Sequence, residues 1–200
     1  ILLRVMVCVL VLSAAHYVRR IFVAERFIVP SDSMQPTLVP GDKIWVNKLL
    51  HGARIYTSFK FHDHAPLRCF RMPGLRKIRP GDAICFNYPL GYDRWTEIEF
   101  KINYVYCKRV VGTPGDTIGV RDGITWNNNY RGTIGVLENQ LAIQNTPDSI
   151  LWRTKFMATM PFTMPMWTIK NFGPLYIPKK GVTIELDSVG RAIYGPVIEY

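Results

Sequence analysis

Residues 1–18 carry one charged side chain, Arg4, and only Ser13 and His16 as further polar groups. Roughly 20 apolar residues in a helix cross the hydrocarbon core of a bilayer, so the run points to one of three things: an anchor, a signal peptide or a buried core helix. No small-x-small cleavage site follows it. The chain passes directly into Arg19-Arg20-Ile21-Phe22-Val23, which reads as the start of β structure. The expectation is therefore an uncleaved transmembrane anchor over residues 1–20. Arg19, Arg20 and Arg26 follow the run and only Arg4 precedes it. A strict positive-inside count would leave the remaining chain on the cytoplasmic side.

After the anchor the pattern changes to short β-branched and aromatic runs separated by Pro-Gly and Gly-Asp. Ile44-Trp45-Val46, Ala83-Ile84-Cys85-Phe86, Ile102 to Val111 and Gly181 to Leu186 read as strands. No long amphipathic helix is apparent beyond the anchor. The predicted fold class is mainly β: an N-terminal transmembrane helix, then a body of curled antiparallel sheets with a larger inserted lobe. Residues 51–79 and 121–180 read as irregular, and Trp126-Asn127-Asn128-Asn129 as a polar turn. The predicted division is an anchor at 1–20, a catalytic β core at 21–120 and an inserted lobe at 121–200.

Twenty-five Lys and Arg against 15 Asp and Glu give a net charge of +10. That excess suits a phospholipid surface or a nucleic acid; no aromatic-basic recognition motif supports the second, so no nucleic-acid partner is expected. Cys8, Cys69, Cys85 and Cys107 have no C-x-x-C spacing and suggest neither a zinc site nor a disulfide framework. His62-Asp63-His64 offers candidate ligands, but two histidines spaced i, i+2 in a loop are more often solvated and no further ligand is signalled elsewhere, so neither metal nor cofactor is expected.

Two segments carry candidate chemistry. In Pro30-Ser31-Asp32-Ser33-Met34-Gln35-Pro36 the prolines restrict the backbone around two hydroxyls, as a preorganised nucleophile requires. On local grounds such a segment is more often a turn. In Tyr106-Cys107-Lys108-Arg109-Val110, strand alternation puts Lys108 on a face with Tyr106 and Val110. A free lysine titrates near ~10.4, and desolvation among apolar neighbours is what makes one a base at neutral pH, at about 1.4 kcal/mol per unit. Taken alone, a Lys-Arg pair on a strand is more often an exposed edge.

Together, in this order and behind an apolar anchor, these segments resemble the bacterial type I signal peptidases, which use a Ser-Lys dyad. Residues 30–38 are similar to the family's nucleophile box, P-S-x-S-M-x-P-T-L. Pro80 to Phe86 is similar to its Gly-Asp strand box, and Lys108 to Asp116 to its lysine box, K-R-x-x-G-x-P-G-D. The resemblance implies Ser33 as nucleophile and Lys108 as general base, with the Ser33 N–H and the Ser31 hydroxyl holding the oxyanion. It places Phe27, Val29, Met34, Tyr106 and Cys107 in pockets for small residues, so that cleavage falls after Ala-x-Ala-like sites. The implied partners are the signal peptides of secretory preproteins and the phospholipid membrane. The implied location is the bacterial inner membrane, with the body facing the periplasm. Residues 49–55, 72–76 and 172–178 are further similar to a Bacteroidetes-like branch.

The family's last box, G-D-N-x-x-x-S-x-D-S-R, does not occur in the 200 residues, and Glu185 to Arg191 lacks both its spacing and its Gly-Asp-Asn. With Ile1 in place of methionine, the chain is expected to be a fragment without the terminal core strands, and inactive as it stands. Two rival functions follow from the same residues. One is a self-cleaving cytosolic repressor, which would carry a DNA-binding domain in place of the anchor. The other is a catalytically inactive, membrane-anchored relative that binds exported peptides. No G-x-S-x-G elbow of a Ser-His-Asp hydrolase is present.

Overall fold

The computed structural model describes residues 1–58, 68–89, 102–154, 157 and 167–198. His62, Asp63 and His64 lie outside them. The chain forms two compact units, Ile1–Ile78 and Arg79–Tyr200.

The first unit opens with helix α1, Leu2–Val18, which runs on through a π-helical turn, Arg19–Val23. The β-rich reading of residues 19–23 is thus corrected: extending an existing helix costs far less than starting a new element. The combined helix Leu2–Val23 has 22 residues, is long and apolar enough to cross a membrane, and buries none of its side chains against the protein. At ~1.5 Å per residue it is about 33 Å long. One carbonyl of its last turn is met by a cation: Lys48 Nζ donates to the Arg20 carbonyl at 2.7 Å and to Glu25 Oε2 at 2.7 Å. Arg20 pairs with the other Glu25 oxygen at 2.9 Å. The Arg19 guanidinium stacks 4.9 Å from the centre of the Trp45 ring.

Strands β1, Ala24–Ile28, and β2, Lys43–Asn47, pair antiparallel from Ala24↔Asn47 to Ile28↔Lys43. A second ribbon joins β3, Arg54–Tyr56, to β4, Cys69–Arg71. The chain before β3 lies tightly on the chain after β4, with Met72 N–H donating to the Ala53 carbonyl at 2.9 Å and Leu75 N–H to that of Leu49 at 3.0 Å. Gly52, at φ +80°, makes this approach possible, because a Cβ there would collide with the Met72 carbonyl.

In the second unit β5, Ala83–Asn87, pairs antiparallel with β6, Val105–Arg109. Strands β7, Thr117–Arg121, β8, Ile124–Asn127, and β9, Phe172–Tyr176, form a sheet of order β8-β7-β9. Helices α2, Leu137–Asn145, α3, Asp148–Arg153, and α4, Ser188–Ile198, complete the unit. The buried Gln140 joins α2 to β8: its Oε1 accepts from Thr125 N–H at 2.7 Å and its Nε2 donates to the Ile134 carbonyl at 2.9 Å.

A mainly β body after an apolar helix is what the sequence predicts, with several corrections of detail. Residues 51–79 and 121–180 hold β3, β4, β8, β9, α2 and α3 among their described positions. The segment from Gly181 to Leu186 forms no strand, since β-branched residues become a strand only where a partner edge receives them. The run read as a strand from Ile102 narrows to Val105–Arg109. Trp126 and Asn127 belong to β8, and only Asn128 and Asn129 turn. Helix α4 contains Gly190, Gly195 and Pro196, so propensity speaks against it. Its start is set by Asp187, whose Oδ1 accepts from Gly190 N–H at 2.6 Å.

One local device recurs three times. Val39-Pro40-Gly41-Asp42, Arg79-Pro80-Gly81-Asp82 and Thr113-Pro114-Gly115-Asp116 each place glycine at positive φ, +94°, +93° and +100°. Pro then Gly is the pairing that a type II turn requires. In each, the aspartate Oδ2 accepts from the N–H of the residue before the proline, at 2.9, 2.9 and 2.7 Å. The glycine N–H donates outward to Val29, Val110 and Ile177 respectively, and each of those residues donates back to the aspartate carbonyl. Strands β2, β5 and β7 each begin at the next residue. The repeated turn thereby pins the strand start to its neighbouring chain.

Candidate active site

In the first unit the loop between β1 and β2 carries the predicted nucleophile. Its ends are closed by Val29 N–H donating to the Asp42 carbonyl and Gly41 N–H donating to the Val29 carbonyl, both at 2.9 Å. Within it Gln35 N–H donates to the Asp32 carbonyl at 2.9 Å, and Leu38 N–H to that of Met34 at 3.0 Å. Two apolar side chains, Val29 and Met34, are buried and hold the loop down, while Ser31, Asp32 and Ser33 face outward. The Ser31 and Ser33 hydroxyl oxygens lie 3.4 Å apart. The segment forms the turn that its composition favours, and it sets the two hydroxyls side by side. Phe27, half-buried on β1 opposite Ile44, lies on the same side of the strand as Val29.

In the second unit Tyr106, Cys107 and Lys108 occupy β6, opposite Phe86, Cys85 and Ile84. Alternation places Lys108 on a face with Tyr106, Ile84 and Phe86, and the residue is half-buried. The Tyr106 ring packs against that of Tyr88, 4.5 Å between centroids. Burial, with Tyr106 beside it, pushes the Tyr88 hydroxyl above its ordinary value. Arg109 points to the other face and donates to the Gly81 carbonyl at 2.9 Å, fastening β6 to the turn before β5. Phe27, Val29, Ser31, Ser33 and Met34 are thus gathered in one unit, and Tyr106, Cys107 and Lys108 in the other.

Downstream of β6, Asp116 is 6% exposed. Its Oδ2 accepts from Thr113 N–H at 2.7 Å, the Thr113 hydroxyl at 3.1 Å and Asn127 Nδ2 at 2.9 Å, and its Oδ1 from Asn129 Nδ2 at 2.8 Å. Burial works to raise its titration point, but these four donors outweigh it and hold the carboxyl down at about 2. Asn127 and Asn129 were not legible as partners of Asp116, because they come from the far side of a hairpin. Among the described residues no group of three or more His, Cys, Asp or Glu side chains could hold a metal ion.

The family model described as "Signal peptidase, peptidase S26" matches residues 2–164. Signal peptidase I of Pseudomonas aeruginosa is 39% identical over 101 residues, which cover 50% of this chain and 28% of that protein. Signal peptidase I of Rickettsia akari is 29% identical over 154 residues, 77% of this chain and 51% of the relative. A probable signal peptidase I-1 of Synechocystis is 33% identical over 112 residues, covering 54% and 42%. The chain thus spans between about a quarter and about half the length of these relatives. No solved structure matches it. The serine loop and the lysine strand both fall inside the region that the family model matches, and on that match this chain belongs to the signal peptidase family, peptidase S26.

Proposed function

We propose that the protein is a membrane-anchored serine endopeptidase that removes signal peptides from exported preproteins by Ser-Lys acyl transfer. The observation that carries this reading is the family match over residues 2–164, which takes in both Ser33 and Lys108. The Ser33 hydroxyl attacks the scissile carbonyl while the Lys108 amine accepts its proton and passes it to the departing amine. Water then hydrolyses the acyl-enzyme. The oxyanion is held by the Ser33 N–H and the Ser31 hydroxyl; the 3.4 Å between the two serine oxygens supports that pairing. Phe27, Val29, Met34, Tyr106 and Cys107 line pockets that admit small side chains, which gives the Ala-x-Ala preference. An extended substrate pairs its backbone beside a strand, so the rest of its sequence is free to vary.

The helix Leu2–Val23 anchors the body, and its apolar length and unburied side chains support this; that the body faces the periplasm at the inner membrane is carried over from the family resemblance alone. The catalytic core expected over 21–120 begins at Ala24, where the helix ends, and residues 121–200 form an inserted lobe. The test is cleavage of a preprotein by the native protein in phospholipid vesicles. Ser33→Ala and Lys108→Met should each reduce cleavage to background while the protein stays folded and inserted. Retained cleavage in either variant would refute the dyad.

A further inference from the structure

Cys85 and Cys107 are direct partners in the β5–β6 ladder. The hydrogen bonds at the two ends of the ribbon fix what kind of partners they are. Val110 N–H donates to the Asp82 carbonyl and Tyr88 N–H to that of Tyr104, making 82↔110 and 88↔104 hydrogen-bonded pairs. Antiparallel pairs alternate, so 84↔108 and 86↔106 are also hydrogen-bonded and 85↔107 is not. Non-hydrogen-bonded partners bring their Cα atoms to roughly 4.5 Å, with side chains closer than at the hydrogen-bonded sites. Disulfides span Cα separations of ~4.4–6.8 Å. The two thiols are free, half-buried and close enough to hydrogen-bond each other. Neither remaining cysteine is placed this way: Cys8 lies exposed on α1, and Cys69 is opposite Tyr56.

We propose that Cys85 and Cys107 are a cross-strand dithiol that reacts with a small-molecule disulfide to close a Cys85–Cys107 bond. The Cys107 thiolate attacks one sulfur of the oxidant, releasing one thiolate and leaving a mixed disulfide on Cys107. Cys85 then gives up its proton and attacks the Cys107 sulfur, expelling the second thiolate. Two protein thiols and one disulfide oxidant become one protein disulfide and two small thiols. Burial, with Cys107 across the ladder, pushes the Cys85 thiol up to about 12. Capping Cys107 removes the neighbour's share of that effect. Cys107 immediately precedes Lys108, so the bond clamps β6 beside that residue, whatever its role.

The test uses the full chain in detergent with Cys8→Ser and Cys69→Ser, leaving only the pair, exposed to oxidised glutathione over a range of glutathione ratios. The expected result is loss of both alkylatable thiols together and a non-reduced peptide linking Cys85 to Cys107, lighter by two hydrogen atoms and reversed by dithiothreitol. Adding Cys85→Ser should instead trap glutathione on Cys107. Stable glutathione on both cysteines of the pair would overturn the proposal. So would a bond between two chains, or thiols that survive an oxidant able to close a control dithiol.

Discussion

The carboxylate of Asp116 offers the sharpest quantitative test of the fold, through the substitution Asp116→Asn. Its oxygens accept four hydrogen bonds, from Thr113, Asn127 and Asn129. The folded carboxyl titrates at about 2, against ~3.9 for a free aspartate, and each unit is worth about 1.4 kcal/mol, so ionisation favours the folded state by roughly 2.5 kcal/mol. An asparagine keeps one acceptor oxygen for the three donors at Oδ2 but turns an NH2 toward Asn129. A flip of the Asn129 amide recovers part of that loss, leaving a net cost of about 2 kcal/mol, or roughly 30-fold in local opening. The sign with pH follows from a depressed folded value. The contribution is complete above about pH 4 and is lost as pH falls toward 2. Hydrogen exchange followed by mass spectrometry on the detergent-solubilised chain reads both effects. Peptides covering 113–130 should exchange about 30-fold faster at neutral pH in the variant, while peptides covering 24–47 do not change. After correction for intrinsic rates, the native protein should lose protection in 113–130 between pH 4 and 2, and the variant should not. Equal protection at neutral pH, or an equal loss on acidification, would refute the account of Asp116 as the ionised hub of this turn.

Other outcomes follow from single contacts. Ser31→Ala should lower kcat for preprotein cleavage by about 10²–10³ with little change in KM, the loss typical of one oxyanion donor; an unchanged kcat would remove Ser31 from that role. Gly52→Ala forces a Cβ into the Met72 carbonyl at positive φ; it should destabilise the first unit by roughly 2 kcal/mol or more, read by urea unfolding. Gly41→Ala meets no neighbouring atom, so only the backbone conformation is strained and the expected cost is about 1–2 kcal/mol. Gln140→Ala leaves the Thr125 N–H and the Ile134 carbonyl without their partner and should cost roughly 2–3 kcal/mol. Faster amide exchange confined to β8 and α2 is its signature.

What the sequence determined by itself was whatever depends on neighbours along the chain. The apolar run at 1–18 announced a helix because length and hydrophobicity are local quantities. Ile44-Trp45-Val46 and Ala83 to Phe86 announced strands because their residues suit a pleated surface. Pro-Gly-Asp marked turns because proline and glycine act on their own φ angles. The Ser31–Ser33 segment and Lys108 stood out through order and spacing, which are also linear. Tertiary structure decided the rest. It continued the helix through Arg19–Val23, where Lys48 reaches back to the Arg20 carbonyl. It left Gly181 to Leu186 without a ladder, and started α4 on Asp187 despite its glycines and proline. It brought Asn127 and Asn129 onto Asp116, and set Cys85 against Cys107. Each of these depends on which distant segment supplies a donor, an edge or a facing side chain. Such a choice is made by the free energy of the whole fold, and no local stretch of sequence contains it.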